Sequence, residues 1–150
     1  MSSVGHGRTH RLVLVVGFDG TEAAKRALER AAEMLVDLRG RMEVVYVSHV
    51  PEMMGLSGQA MRGLVNEESA LVDRIKEVLR GTEVTWSFQL RNGETVRELL
   101  SASAEQLESE GPNTRLILVL GGSARKITRY LDSTPVKAIR RDRFEVLVVP

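Results

Sequence analysis

The chain has 150 residues, no cysteine and a formal net charge of +1, with 43% hydrophobic and 27% charged side chains. That is enough material for one ordinary core and too little for two. It excludes disulfide scaffolds, thiolate metal sites and cysteine chemistry, and it offers no bulk attraction to nucleic acid or anionic lipid.

Residues 1–10 read as a polar tail, since they hold no apolar stretch of the kind a signal peptide needs. The remainder, 11–150, reads as one domain. Leu12-Val13-Leu14-Val15-Val16 is short, continuous and β-branched, the mark of a strand buried on both faces. It runs into Gly17-Phe18-Asp19-Gly20-Thr21, a turn with Thr21 in place to cap a helix over 22–38. Ala24, Ala27, Leu28, Ala31, Leu35 and Leu38 form that helix's apolar stripe, and Gly40 stops it. Val44-Val45-Tyr46-Val47 is the second buried strand.

The stretch 51–63, with Met53, Met54, Met61 and three glycines, reads as one long connection, and loops of that length are commonly functional. A helix is predicted over 65–79 on Leu71, Val72, Ile75, Val78 and Leu79, with Glu67 and Glu68 supporting its N-terminus. From Val84 to Leu90 apolar and polar residues alternate, which predicts a half-exposed edge strand. Residues 94–109 predict a third helix, where Thr95 and Glu98 have capping-box spacing. Leu116 to Leu120 is a fourth strand, Thr134-Pro135 starts a final helix, and Val146-Leu147-Val148-Val149 is the last strand.

Strands alternating with helices imply an open parallel sheet covered on both faces, whose ligand edge lies at the carboxyl ends of the strands. Three features fall there. Asp19 precedes a helix N-terminus; its local chemistry favours a turn and cap, and its alternative is a hydrogen bond to a ribose hydroxyl or an adenine amine. Leu120-Gly121-Gly122-Ser123 is a glycine turn with the character of a phosphate loop but without P-loop spacing. Residues 124–143 hold seven basic side chains, including Arg125, Lys126 and Arg129, against two acidic ones. They suit either a nucleotide's phosphates or a solvated helix face. His6, His10 and His49 lack metal-ligand spacing, and no nucleophile elbow exists.

Val15 to Ala23 with Arg26-Ala27-Leu28, Val44 to Val47, Gly93 before the third helix, Leu116 to Gly121 and Val146 to Pro150 together resemble the universal stress protein family. The resemblance spans about Arg11 to Pro150. It implies a single-domain sheet in the order 3-2-1-4-5, of the adenine-nucleotide alpha-hydrolase-like kind, and a cytoplasmic homodimer that pairs its last strands, here Val146, Leu147, Val148 and Val149. Such a protein has no nucleic acid or membrane partner and answers to a signalling partner that the sequence does not name.

In the family's nucleotide-binding members, ATP or AMP is the ligand, with magnesium accompanying ATP. The resemblance carries base and ribose contacts onto Gly17, Phe18, Asp19 and Val45, and phosphate contacts onto Leu120, Gly121, Ser123, Ser133 and Thr134. Arg125, Lys126 and Arg129 would neutralise the phosphates. The glycine loop departs from the family's pattern: its second glycine falls on Ala124, the last glycine and serine fall on Asp132-Ser133, and the loop is two residues short. Arg115 also replaces the aspartate that begins the fourth strand. The first reading is therefore a dimeric stress-response module without strong ATP binding. The alternative is an ATP- or AMP-binding member with its phosphates on the 121–133 loop. No catalytic residue and no metal ligand is assigned, and slow ATP hydrolysis is the most activity expected.

Overall fold

The computed structural model describes residues 11–49, 58–122 and 143–150. Eight elements follow in chain order: β1 (Arg11–Gly17), α1 (Glu22–Asp37), β2 (Gly40–Ser48), α2 (Gly58–Val78), β3 (Trp86–Asn92), α3 (Thr95–Glu110), β4 (Thr114–Gly121) and β5 (Phe144–Val149). All strand pairs are parallel and the sheet order is β3-β2-β1-β4-β5, as the alternation and the resemblance imply. The polar tail, the final helix after Thr134 and the basic stretch 124–142 lie outside the described residues, as does most of the 51–63 connection.

The period of two along each strand divides the core. Leu14, Val16, Met42 and Val44 face α1 and α2, where they meet Ala27, Leu28, Ala31, Leu71 and Ile75. Val13, Val15, Val45, Leu116 and Leu118 face α3, where they meet Val96, Leu99, Leu100 and Leu107. Continuous apolar runs in β1, β2 and β4 are thus the direct result of burial on both faces. β3 is the predicted edge strand, displaced two residues from the expected start; Trp86 and Phe88 pack toward the α1–α2 side.

Three local readings are corrected. α2 starts at Gly58 rather than 65, so residues 58–63 are helical and not part of a loop; the roughly 1 kcal/mol that a glycine costs in a helix is too small to stop it. Glu67 and Glu68 consequently lie in the middle of α2 and support no N-terminus. α3 is capped by Glu94, whose carboxylate accepts from the Val96 and Arg97 amides at 3.3 and 2.8 Å. Glu98 of the expected capping box instead pairs with Arg91 at 3.0 Å. A carboxylate one residue earlier takes both amides and leaves Glu98 available to the guanidinium on β3.

The polar half of β3's alternation also has a use inside the fold. Glu43 on β2 is buried and accepts from Ser87 Oγ at 2.6 Å and from the Arg41 guanidinium at 3.2 Å. Arg41 in turn reaches Glu110 of α3 at 2.7 Å. A buried carboxylate is tolerable because these partners replace its water. Arg115, the departure at the start of β4, is an exposed residue that pairs with Glu145 on β5.

Candidate functional site at the carboxyl ends of the strands

The strand order reverses beside β1, whose neighbours are β2 and β4, so a crevice opens between the carboxyl ends of β1 and β4. The N-terminus of α1 enters it from below. Thr21 caps this helix as expected, its hydroxyl accepting from the Ala24 amide at 3.2 Å. Asp19 is exposed, yet its Oδ1 accepts both the Thr21 amide at 3.0 Å and the Thr21 hydroxyl at 2.6 Å. The aspartate therefore holds the turn that presents the cap, the role its local chemistry favoured.

On the other wall, β4 ends at Gly121. A Cβ there would stand 2.2 Å from the Ala23 carbonyl oxygen and 2.8 Å from the Ala24 nitrogen. Glycine is required because the end of β4 passes directly over the first turn of α1. Gly122 follows with φ +110°, and its N–H donates to the Val149 carbonyl at 2.9 Å. That amide continues the β4–β5 ladder. Ser123, Ser133, Thr134, Arg125, Lys126 and Arg129 lie outside the described residues.

Of the other sites implied by resemblance, Phe18 is buried in the α1–α2 core and donates its backbone N–H to the Val45 carbonyl at 2.9 Å. Val45 is buried in the α3-side core, which leaves only its backbone near the edge. Gly17 and Leu120 are half-buried, and a Cβ on Gly17 would stand 2.9 Å from Leu99 Cδ1. Gly17 thus lies beside Leu120, Gly121 against the first turn of α1, and Asp19 in the turn before that helix, while Phe18 and Val45 are packed within.

The sequence gives Tyr46 no role beyond its strand and Glu67 only the helix-end role corrected above, and it does not pair them. Tyr46 follows Met42 and Val44 on the α2 side of β2, and its hydroxyl donates to the Glu67 carboxylate of α2. Burial, that hydrogen bond and the nearby charges of Glu67 and Asp19 together push the Tyr46 phenol up to about 12. The usable signal was the alternation of β2, which puts a lone phenol on an otherwise apolar face. His49, which lacks metal-ligand spacing in the sequence, has its Nε2 3.1 Å from the Thr95 hydroxyl. Among the described residues no group of three or more His, Asp or Glu is placed to hold a metal ion, and no helix is long and apolar enough to cross a membrane.

An all-parallel sheet with this order, helices on both faces and a crevice at the reversal defines a doubly wound α/β domain with one ligand edge. Residues 12–139 match the sequence profile of the universal stress protein family, and the chain belongs to that family. No functionally curated protein matches it. Among solved structures, a universal stress family protein from Burkholderia pseudomallei is 23% identical, with a TM-score of 0.61 over 92% of this chain and 95% of its own. UspA from Lactobacillus plantarum is 14% identical, with a TM-score of 0.62 over 94% and 99%. A universal stress protein in complex with cAMP is 19% identical, with a TM-score of 0.55 over 95% and 98%. At these identities the likeness is one of fold.

Proposed function

We propose that this chain is a cytoplasmic stress-response module that works as a homodimer through β5 and does not bind ATP strongly. One observation carries the ligand half of this reading: among the described residues, polar groups at this edge are already engaged within the fold. Asp19 is held by Thr21 on one wall, and the Gly122 amide is held by Val149 on the other. A nucleotide gains little by displacing the bonds at Asp19 Oδ1 or the Gly122 amide, since the net gain from exchanging one hydrogen bond for another is small. The shortened glycine loop and its aspartate at 132 weigh in the same direction.

The dimer half rests on the edge. Among the described residues β5 pairs with β4 alone, and Val146, Leu147, Val148 and Val149 are only half-buried. An apolar edge strand without a bulge or a lysine is completed by a second copy in an isologous dimer.

A second reading, an adenine-nucleotide-binding member, is favoured by one specific finding: a structural neighbour of the same fold was solved in complex with cAMP. The experiment that separates the two is acid extraction of the purified protein, followed by chromatography and absorbance of the supernatant. The proposed reading expects well under one adenine nucleotide per chain. A stoichiometric amount overturns it and establishes the second.

A further inference from the structure

The carboxyl end of β3 runs into Asn92-Gly93, the one Asn-Gly pair in the chain. Asparagine before glycine is the arrangement most prone to deamidate, because no side chain shields the glycine nitrogen and the glycine backbone turns freely. The fold nevertheless uses both residues. Gly93 has φ +143°, and a Cβ on it would stand 3.0 Å from Glu98 Cγ and 3.1 Å from Glu98 Oε2. Any other residue there is strained and crowds the carboxylate that pairs with Arg91. Asn92 lies beside Ser48 in the β2–β3 register, and its Oδ1 accepts the Ser48 hydroxyl at 3.0 Å. Ser48 is 4% exposed, so its hydroxyl needs a partner within the fold.

The same contacts keep the reactive atoms apart. The Gly93 N–H donates to the Ser48 carbonyl at 2.9 Å, so it points in the plane of the sheet toward β2. The Asn92 side chain stands out of that plane, as strand side chains do, and the Ser48 hydroxyl holds it there. One residue thus restrains both reactants: its backbone holds the nitrogen that would attack, and its side chain holds the carboxamide that would be attacked. Asn92 itself is exposed, so water and hydroxide reach it.

We propose that Asn92 is a self-modification site kept closed by Ser48. When the end of β3 opens locally, hydroxide takes the Gly93 amide proton and the nitrogen attacks Asn92 Cγ. The new N–C bond closes a succinimide ring. The carboxamide C–N bond breaks, and its nitrogen leaves as ammonia with a proton from water. A further water opens the ring at either carbonyl, which leaves aspartate or isoaspartate at 92. Aspartate adds a negative charge close to Glu94, the cap of α3. Isoaspartate also lengthens the backbone ahead of Gly93 by a methylene group and breaks the bond to the Ser48 carbonyl. The site belongs to the contact between β2 and β3, and it stands whether or not the crevice at β1 and β4 binds a nucleotide.

The test follows the whole protein in mildly alkaline buffer by peptide mapping across 92–97. Native wild type should deamidate at Asn92 at least about tenfold more slowly than the same chain in guanidinium chloride, the factor for two hydrogen bonds that must open together. Ser48→Ala removes the side-chain restraint and keeps the backbone one; water replaces the hydroxyl at the exposed Oδ1. Its native rate should exceed the wild-type rate about two- to tenfold. Arg41→Ala, at the opposite end of β2, should leave the Asn92 rate at its wild-type value. Equal native and unfolded rates in wild type overturn the proposal without recourse to a variant. A Ser48→Ala rate no higher than wild type also overturns it, because the hydroxyl would then not be what holds the carboxamide back. So does an equal rise in Ser48→Ala and Arg41→Ala, since Asn92 would then react from the globally unfolded chain.

Discussion

Gly121 offers a way to weigh packing against ligand binding at one position. Replacing it with alanine puts a methyl group 2.2 Å from the Ala23 carbonyl oxygen and 2.3 Å from its carbon. Both are backbone atoms in the first turn of a helix, so no side chain can swing aside. Ordinary contact needs more than 3 Å, and relief requires α1 and the end of β4 to part by ~1 Å. That movement loosens Ala24, Ala27 and Leu28, all buried against the sheet. Overpacking of a rigid contact plus this loss should cost about 2–4 kcal/mol, which for a domain of this size lowers Tm by about 5–15 °C. Thermal unfolding followed by circular dichroism reads this directly. Gly122→Ala is the control: its new methyl group meets nothing within 4 Å, and only the strain of φ +110° remains, about 1 kcal/mol. Equal Tm values for wild type and Gly121→Ala would refute the argument and leave the glycine to be explained by a ligand.

Three further outcomes are expected. Arg41→Ala leaves the Glu43 carboxylate buried without its cation and should destabilise by about 2–4 kcal/mol in urea unfolding, whereas Arg30→Ala, from an exposed pair with Glu33, should change stability by less than ~0.5 kcal/mol. The Tyr46 phenol, raised from 10.0 to about 12, keeps its proton to higher pH in the folded state than in the unfolded one. Its contribution to stability is therefore complete below pH 10 and lost as pH climbs through 12, and ultraviolet titration of Glu67→Gln should show Tyr46 ionising earlier. In β5 the Arg143 and Val149 carbonyls both face β4, so by alternation the Val148 N–H points to the free edge. Val148→Pro should leave the β4–β5 ladder intact while weakening a dimer that is populated at micromolar wild-type concentration, read by sedimentation; a monomeric wild type would reject the pairing.

The layers of this fold were legible in the sequence because burial writes itself as periodicity. Val13 to Val16 are apolar on both faces, since helices cover both; β3 alternates because it stands at the edge; Thr21 caps α1 because the helix needs an acceptor there. A parallel sheet followed from the alternation of strands and helices, and its strand order from the family resemblance. What depended on which of several available partners a group takes was not legible. Glu94 rather than Thr95 caps α3 because its carboxylate takes the Val96 and Arg97 amides, which leaves Glu98 to Arg91 on β3. Asp19 was open to a turn or a ligand on its residues alone, with the turn favoured; its Oδ1 takes the Thr21 amide and hydroxyl. Gly121 looked like a phosphate glycine, and its packing role became evident only where β4 and α1 approach within the reach of a single methyl group. Tyr46 and Glu67, 21 residues apart, have no shared pattern in one dimension. Their meeting depends on where α2 lies against β2, which the fold sets and local propensity does not.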